Sequence, residues 1–330
     1  MRSELIHKIF NVESIGIESL ALEVFYYQYH NNPLYRLFCD QLGRYPGKVQ
    51  SIADIPFLPI SFFKTHEIRT GNFKPVTWFE SSGTTGSVNS RHYIKGLELY
   101  EESFNRCFSQ FYGEVTDWCI LGLLPSYLER QHSSLVYMVD HLIKLSGHKS
   151  SGFYLYDHGS LHSTLDQMER ASQKTLLFGV SFALLDFAAE YPMDLRHTTI
   201  METGGMKGRR KELTRQELHE QIQSGFPGCP IHSEYGMTEL LSQAYAGDDG
   251  LFFCPPWMKI LLREEDDPLQ LLSGFGDKIS GVINIIDLAN IDSCSFLATD
   301  DRGRIHPNGG FEVLGRMDNS DIRGCSQLVQ

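Results

Sequence analysis

The chain has 330 residues, 42% hydrophobic and 21% charged, with a formal net charge of −12. That is ample for a sizeable core and too long for one minimal domain unless the domain is a large mixed sheet, and the acidic balance argues against a nucleic-acid partner, which needs a basic face. No apolar run approaches the roughly 20 residues of a membrane span. The start Met1-Arg2-Ser3-Glu4-Leu5 lacks the apolar stretch of a signal peptide, and the seven scattered Cys form no CxxC pair or disulfide framework, so the expected location is the cytoplasm. None of the 13 His residues sits in an HExxH pattern, and no zinc site is expected.

From Leu5 to Tyr29 apolar residues recur at helical spacing (Leu5 and Ile9, then Leu20, Val24 and Phe25), and Gly16 interrupts them, predicting two helices that end before Asn32-Pro33. Ser51 to Ile68 carries Pro56 and Pro59 among dense aromatics and reads as an extended segment packed on the core, with Phe62-Phe63 buried. A short aromatic run, Thr77-Trp78-Phe79-Glu80, then leads into Ser81-Ser82-Gly83-Thr84-Thr85-Gly86-Ser87. Small residues let backbone N–H groups converge on one point and the hydroxyls add donors, which is the chemistry that holds a polyphosphate. No Lys follows Gly86, so this is not a Walker A loop, and taken alone such a composition more often marks a turn.

Tyr100, Phe104, Cys107, Phe108 and Phe111 make one apolar helical face, and Trp118 to Leu124 is a continuous apolar run, the mark of a strand buried on both sides. Ser133-Ser134 open a helix that Gly147 closes. Strands at Phe153–Tyr156 and Thr175–Phe178 alternate with helices at Thr164–Ser172 and Phe182–Tyr191, the signature of a layered α/β domain. Thr198 to Glu202 is one more strand, running into Thr203-Gly204-Gly205, and the capping box Thr214-Arg215-Gln216-Glu217 opens a helix that stops at Gly225. After Ile231 to Glu239, the chain from Leu251 turns into short alternating strands and turns, so a β-rich antiparallel or barrel-like subdomain is expected.

Three separated motifs carry a resemblance. Ser81-Ser82-Gly83-Thr84-Thr85-Gly86 resembles the phosphate loop of the adenylate-forming superfamily of acyl-CoA synthetases, nonribosomal adenylation domains and luciferases. Tyr235-Gly236-Met237-Thr238-Glu239 resembles its second signature, in which the Tyr flanks adenine, the Thr contacts phosphate and the Glu helps to hold magnesium. Thr299-Asp300 and Gly315-Arg316 resemble the pair whose Asp and Arg grip the ribose hydroxyls. Within the superfamily, Leu124-Pro125-Ser126-Tyr127-Leu128-Glu129-Arg130, Glu202-Thr203-Gly204-Gly205-Met206-Lys207-Gly208-Arg209 and the closing Ile322-Arg323-Gly324-Cys325-Ser326 look like the acyl-protein synthetase family, which includes the fatty-acid-activating synthetase subunit of the bacterial bioluminescence reductase.

The resemblance implies an α/β fold: the large N-terminal-type domain of adenylate-forming enzymes over 1–316, with a helical segment at 1–50, layered α/β sheets and a β-rich part. A tail at 317–330 is expected in place of the usual small C-terminal domain. It implies ATP and Mg2+ as cofactors and a carboxylic acid, expected to be fatty or otherwise hydrophobic, as substrate. The acid becomes an acyl-adenylate and is then transferred to a thiol. Ser81, Ser82, Thr84 and Thr85 would supply hydroxyls to phosphate, and Gly83 and Gly86 would allow close backbone approach. Gly204 and Gly205 would lie against adenine, and Glu239 would be the metal-side carboxylate. Each has a plainer reading: Gly204-Gly205 as a turn, Glu239 as a solvated acid, Arg316 as a surface charge. Asp300 competes with Asp301, because Asp-Asp-Arg-Gly is also an ordinary hairpin turn; the Thr-Asp order points to Asp300.

Cys325 would carry the acyl group as a thioester for a partner reductase, with Arg323 favouring the thiolate. Ile-Arg-Gly-Cys also occurs in aryl-CoA ligases, where CoA is the acceptor. Two departures stand out. The lysine that the superfamily's C-terminal domain contributes has no counterpart here, and Asn89-Ser90-Arg91 stands where the phosphate loop usually has Lys, which leaves Arg91 or Lys207 as substitutes. His132 is a candidate for the acyl pocket or for a helix cap. The rival readings are a CoA ligase and a catalytically weak nucleotide-binding subunit of a reductase complex.

Overall fold

A computed structural model of the protein describes residues 1–13, 16–82, 88–125, 130–204, 213–272 and 279–317. Three helices come first: α1 (Arg2–Phe10), α2 (Ile17–Asn31) and α3 (Pro33–Gln41). Asn32 ends α2 and caps α3, its side chain accepting from the Tyr35 N–H with Pro33 in the first helical position, where a missing donor costs nothing. The proline-rich segment that follows gives β1 (Leu58–Pro59) and, within the stretch expected to be extended, the single turn α4 (Phe62–Thr65). Phe63 is buried there as expected, whereas Phe62, on the outer side of that turn, is only partly buried. The hairpin β2 (Thr77–Glu80) and β3 (Arg91–Ile94) brackets the Ser/Thr/Gly loop, and α5 (Glu98–Tyr112) follows.

The α/β core then runs β4 (Cys119–Leu123), α6 (Ser134–Ser146), β5 (Gly152–Phe153), α7 (His158–Arg170), β6 (Thr175–Gly179), α8 (Ser181–Glu190), β7 (Thr198–Thr203), α9 (Arg215–Gly225) and β8 (Ile231–Tyr235). β4 and β6 are buried at every position, as strands covered on both faces must be. The Ser133 side chain caps α6, Gly147 closes it at φ 63°, and both halves of the Thr214/Glu217 capping box are formed on α9. One expectation shifts. β5 is shorter than Phe153–Tyr156 and α7 starts well before Thr164, because the Asp157 side chain accepts from the Ser160 N–H and nucleates the helix at His158.

The remaining strands are β9 (Ala244–Ala246), β10 (Phe252–Phe253), β11 (Met258–Arg263), β12 (Ser280–Asp287), β13 (Phe296–Ile305) and β14 (Phe311–Arg316). They are antiparallel and β-rich, as expected, and they continue the core sheet edge to edge. Among the described residues twelve strands form one sheet in the order β11-β12-β13-β14-β10-β9-β8-β7-β6-β4-β5, with β1 alongside β13. β5 to β8 are parallel, and the sense reverses at β8/β9. β13 runs unbroken through Asp300-Asp301-Arg302-Gly303, which disposes of the hairpin-turn reading of that stretch. No helix among the described residues is long and apolar enough to cross a membrane.

The N-terminal helices are fastened to the far end of the chain. Phe25 and Tyr35 pack on Phe296, Tyr35 stacked at 6.1 Å between ring centroids. Buried Gln28 donates to the Asn290 and Ile291 carbonyls at 3.1 and 3.0 Å and accepts from the Ser295 N–H at 2.9 Å. Asn32 donates to the Ser293 carbonyl at 3.0 Å, and Arg2 pairs with Asp292. Gln28→Leu would strand these backbone groups in the interior, and we expect it to lower unfolding free energy by about 2–3 kcal/mol in urea denaturation. A loss below about 0.5 kcal/mol would show that the fastening does not matter.

Candidate active site

β6, β7 and β8 end their parallel run at one rim, the place where open α/β sheets bind ligands. A cleft of about 170 Å³ opens there, and its lining contains Ser81, Ser82, Gly204, Gly236, Met237, Thr238, Glu239 and Arg316. These residues come from four separate stretches of sequence. A larger groove of about 640 Å³, lined chiefly by β10, β11 and the β13–β14 turn, contains none of the residues predicted for the site.

At the phosphate-loop end, the Ser81 N–H donates to the Ser90 carbonyl at 3.1 Å and the Ser90 N–H returns to Ser81 Oγ at 2.9 Å, closing the base of the loop. Glu80 accepts from Asn89 at 2.8 Å and lies 3.3 Å from Arg91 Nε. The Asn89 bond, with Trp78 and Arg91 beside it, holds the Glu80 carboxyl below its usual range. Arg91 thus pairs with the hairpin's own carboxylate. Gly83, Thr84, Thr85, Gly86, Gly205, Lys207 and Cys325 lie outside the described residues.

Gly236–Gln243, which follows β8, forms no strand, and its polar backbone is satisfied by side chains from elsewhere. His92 Nδ1 donates to the Thr238 carbonyl at 2.9 Å, and Asn290 Nδ2 to the Glu239 carbonyl at 2.8 Å. Burial pushes His92 below its ordinary pKa, which keeps the ring neutral with its proton on Nδ1. Buried Asp287 accepts from the Leu241 N–H at 2.8 Å, the Ser242 N–H at 3.0 Å and the Ser242 hydroxyl at 2.6 Å. Glu239 is itself buried, which removes its plainer reading as a solvated acid.

Gly204 ends β7 at φ 73°, a left-handed conformation that suits glycine, and its carbonyl accepts from Ser181. Arg316 is buried, not a surface charge: its Nε sits 3.2 Å from Asp301 Oδ1, while Asp301 Oδ2 accepts from the Tyr235 hydroxyl at 2.8 Å. Asp301, then, is the acid the structure brings to Arg316 and Tyr235. Neither Asp301 nor Asp300, its neighbour on β13, lines the cleft itself. Tyr235 packs behind the cleft against Phe252 and Phe311. His132 stacks on Trp78 at 4.1 Å and hydrogen-bonds the Trp78 carbonyl, and it does not itself line the cleft, although Arg130 and Ser133 on either side of it do.

The sequence reading singled out neither Glu234 nor Gln243, both of which line the cleft, and it met Arg130 only as part of a family-like run. The available signal for Glu234 was its place one residue before the Tyr-Gly pair, at the end of a strand. Thr203 donates to Glu234 Oε2 at 2.6 Å, yet burial outweighs this bond, and with Glu202 nearby pushes the Glu234 carboxyl up to about 7. Chemically the cleft offers serine and threonine hydroxyls, two guanidinium groups and the Glu239 carboxylate, a donor set that fits a polyphosphate with one divalent cation. Magnesium needs no dense protein cage, since it takes one or two carboxylates beside phosphate oxygens and water. Among the described residues no group of three or more His, Cys, Asp or Glu forms such a cage.

The raised Glu234 pKa has a stability consequence. The folded state holds the proton more tightly than the unfolded chain, so ionisation costs stability progressively between the ordinary carboxyl range near 4.5 and about 7, and the cost is complete above that. Glu234→Gln should therefore be more stable than the parent by on the order of 2 kcal/mol at about pH 8, with the gain vanishing near about pH 4.5. Urea denaturation at both pH values measures it, and a gain that does not shrink toward acid would refute the assignment.

No family model matches the chain. It is 27% identical over 335 aligned residues to the long-chain-fatty-acid–luciferin-component ligase of Vibrio harveyi, covering 93% of this chain and 85% of that one. Among solved structures, the o-succinylbenzoate coenzyme A synthetase of Bacillus subtilis in complex with ATP and magnesium superposes at a TM-score of 0.50 with 17% identity, over 76% of this chain and 52% of that one. The luciferase-like enzyme of the mealworm Zophobas morio gives 0.51 with 16% identity, over 76% and 60%. A malonyl-CoA ligase gives 0.52 with 17% identity, over 75% and 54%. The chain thus spans between about half and three-fifths of the length of these solved enzymes. It resembles the Vibrio harveyi ligase along nearly all of its own length, and its fold is that of the large domain of adenylate-forming enzymes.

Proposed function

We propose that this protein activates a carboxylic acid with ATP and passes the acyl group to a thiol. The observation that carries this reading is the convergence of Ser81-Ser82, Gly204, Gly236–Glu239 and Arg316 on one cleft at the rim of the parallel strands. In the first step a carboxylate oxygen bonds to the α-phosphorus and the bond to the pyrophosphate oxygen breaks, leaving an acyl-adenylate. In the second a thiolate attacks the acyl carbon and AMP departs.

The hydroxyls of Ser81, Ser82 and Thr238, with those of the Gly83–Gly86 loop, hold phosphate oxygens, and Arg130 adds a cation at the same cleft. Glu239 would hold a magnesium ion, whose charge offsets that developing on pyrophosphate. Gly204 and Gly205 lie against the base, Tyr235 backs that wall, and Arg316 grips the ribose hydroxyls beside Asp301 or Asp300. Residues 1–316 would form the adenylating unit and 317–330 a tail.

The thiol is proposed to be Cys325, which would hand the acyl group to a partner reductase, with CoA as the other acceptor. The cysteines of the described residues support a thiol elsewhere. Cys39, Cys107, Cys229 and Cys294 are buried, Cys254 is partly so, and burial raises each of them, while Cys119 is pushed up to about 11, so all six are poor nucleophiles near neutral pH.

Carboxylate-dependent ATP–pyrophosphate exchange tests the first step. Exchange with at least one acid class is expected, abolished by chelating magnesium and reduced about 100-fold or more in Glu239→Ala. ATP binding without exchange for any acid would leave a nucleotide-binding subunit as the better reading. For the second step, labelled acid should attach to the wild-type protein and not to Cys325→Ser; label that appears only on added CoA would make CoA the acceptor.

A further inference from the structure

The adenylation reading asks one cleft to hold a triphosphate, and the inference here rests on that reading. Such a ligand carries more negative charge than a single divalent cation offsets, and the wall adds the carboxyls of Glu80, Glu234 and Glu239. The balance depends on which cations reach the cleft. Among the described residues two line it, Arg130 and Arg316. Arg316 is committed, with its Nε 3.2 Å from Asp301 Oδ1. Of the two residues that the sequence leaves as substitutes for a phosphate-side lysine, Arg91 does not line the cleft and is committed to Glu80 at 3.3 Å. Lys207, the other, lies outside the described residues.

Arg130 differs on each count. It is exposed, it lines the cleft, and among the described residues its guanidinium has no carboxylate partner. Its backbone is nonetheless fixed. The Arg130 carbonyl accepts from the Ser133 N–H at 3.0 Å, and the His132 carbonyl accepts from the Glu80 N–H at 2.7 Å. The His132 ring adds its stack on Trp78 and its bond to the Trp78 carbonyl. The segment 130–133 is thereby tied to β2 immediately before Ser81 and Ser82, so the place of Arg130 is set relative to the first residues of the phosphate loop.

We propose that Arg130 is the catalytic cation that takes the lysine's place in adenylation. Its guanidinium binds the β- and γ-phosphates, and it offsets the charge that passes to pyrophosphate. That charge arises when the carboxylate oxygen bonds to the α-phosphorus and the bond to the bridging oxygen breaks, its electron pair leaving with pyrophosphate. A guanidinium with no internal partner gives up no ion pair when it turns to phosphate oxygens, and its planar donors match them in pairs.

The test uses the full chain and two readouts: ATP–pyrophosphate exchange, and equilibrium binding of ATP and of AMP in EDTA, which removes the metal. Arg130→Gln should lower kcat/KM for ATP in exchange by about 100-fold or more. It should weaken metal-free ATP binding by about tenfold and leave AMP binding within about twofold, because AMP lacks the phosphates that Arg130 holds. Arg130→Lys, which keeps the charge, should recover exchange to within about tenfold of the parent. Arg91→Gln should cost less than Arg130→Gln. Exchange by Arg130→Gln within about threefold of the parent, or a larger loss in Arg91→Gln, would overturn the inference and leave adenylation standing. Equal weakening of ATP and AMP binding, with no recovery in Arg130→Lys, would show a structural role and overturn it as well. Parent protein that exchanges with no acid, from acetate to myristate and benzoate, would overturn the adenylation reading and this inference with it.

Discussion

A buried carboxylate holds the working end of this molecule in place. After β8 the chain leaves the sheet, and Gly236–Gln243 has no neighbouring strand to satisfy its backbone. Asp287 answers for three donors of that segment at once, two N–H groups and one hydroxyl, while Asn290 and His92 take the Glu239 and Thr238 carbonyls. Burial raises the Asp287 carboxyl above its ordinary range even with these bonds in place, so its position is costly and depends on every donor being present. The same loop that supplies Asp287 and Asn290 is gripped from outside by Gln28 and Asn32. Three layers of hydrogen bonding therefore connect the first helices to the carboxylate expected to carry the metal, and no two layers come from the same part of the sequence.

What could be read in the sequence follows from the range of the interactions involved. Ser133, Gly147, Thr214 and Glu217 act on residues within one helical turn, so their capping roles are written locally and the helices they bound appear where expected. The three motifs are also local patterns, and their meeting in one cleft follows once strands end at a common rim. Asp157 shows the limit: periodicity placed the helix by its apolar face, whereas the cap began it earlier. The competition between Asp300 and Asp301 could not be settled from motif order, because strand register, which places Asp301 opposite Arg316, is fixed only by folding. Gln243 and Glu234 were not legible because their place in the cleft depends on how β8 and the segment after it pack against the other walls.

The reversal of strand sense at β8/β9 gives the site its shape. Parallel strands send their C-terminal ends to one rim, where loops are free to carry chemistry, and the antiparallel strands beyond β9 bring Arg316 and Asp301 back to that rim from the far end of the chain. Tyr235 stands at the seam, with its ring among Phe252 and Phe311 from the antiparallel side and its hydroxyl on Asp301. The cleft thus joins Arg316, from the antiparallel half of the large sheet, to Gly204 and Gly236, which follow strands of its parallel half.

The attachment of α2 and α3 to the segment before β13 also bears on how the protein is made. These helices are made long before residues 290–296, with which Gln28, Phe25 and Tyr35 complete their contacts. At roughly 5–20 residues per second, synthesis keeps the apolar faces of these helices waiting for tens of seconds. Over that interval Phe25 and Tyr35 lack Phe296, the ring they pack on in the finished fold. A chain fastened end to start in this way completes the packing of its first helices only after residues 290–296 have been made.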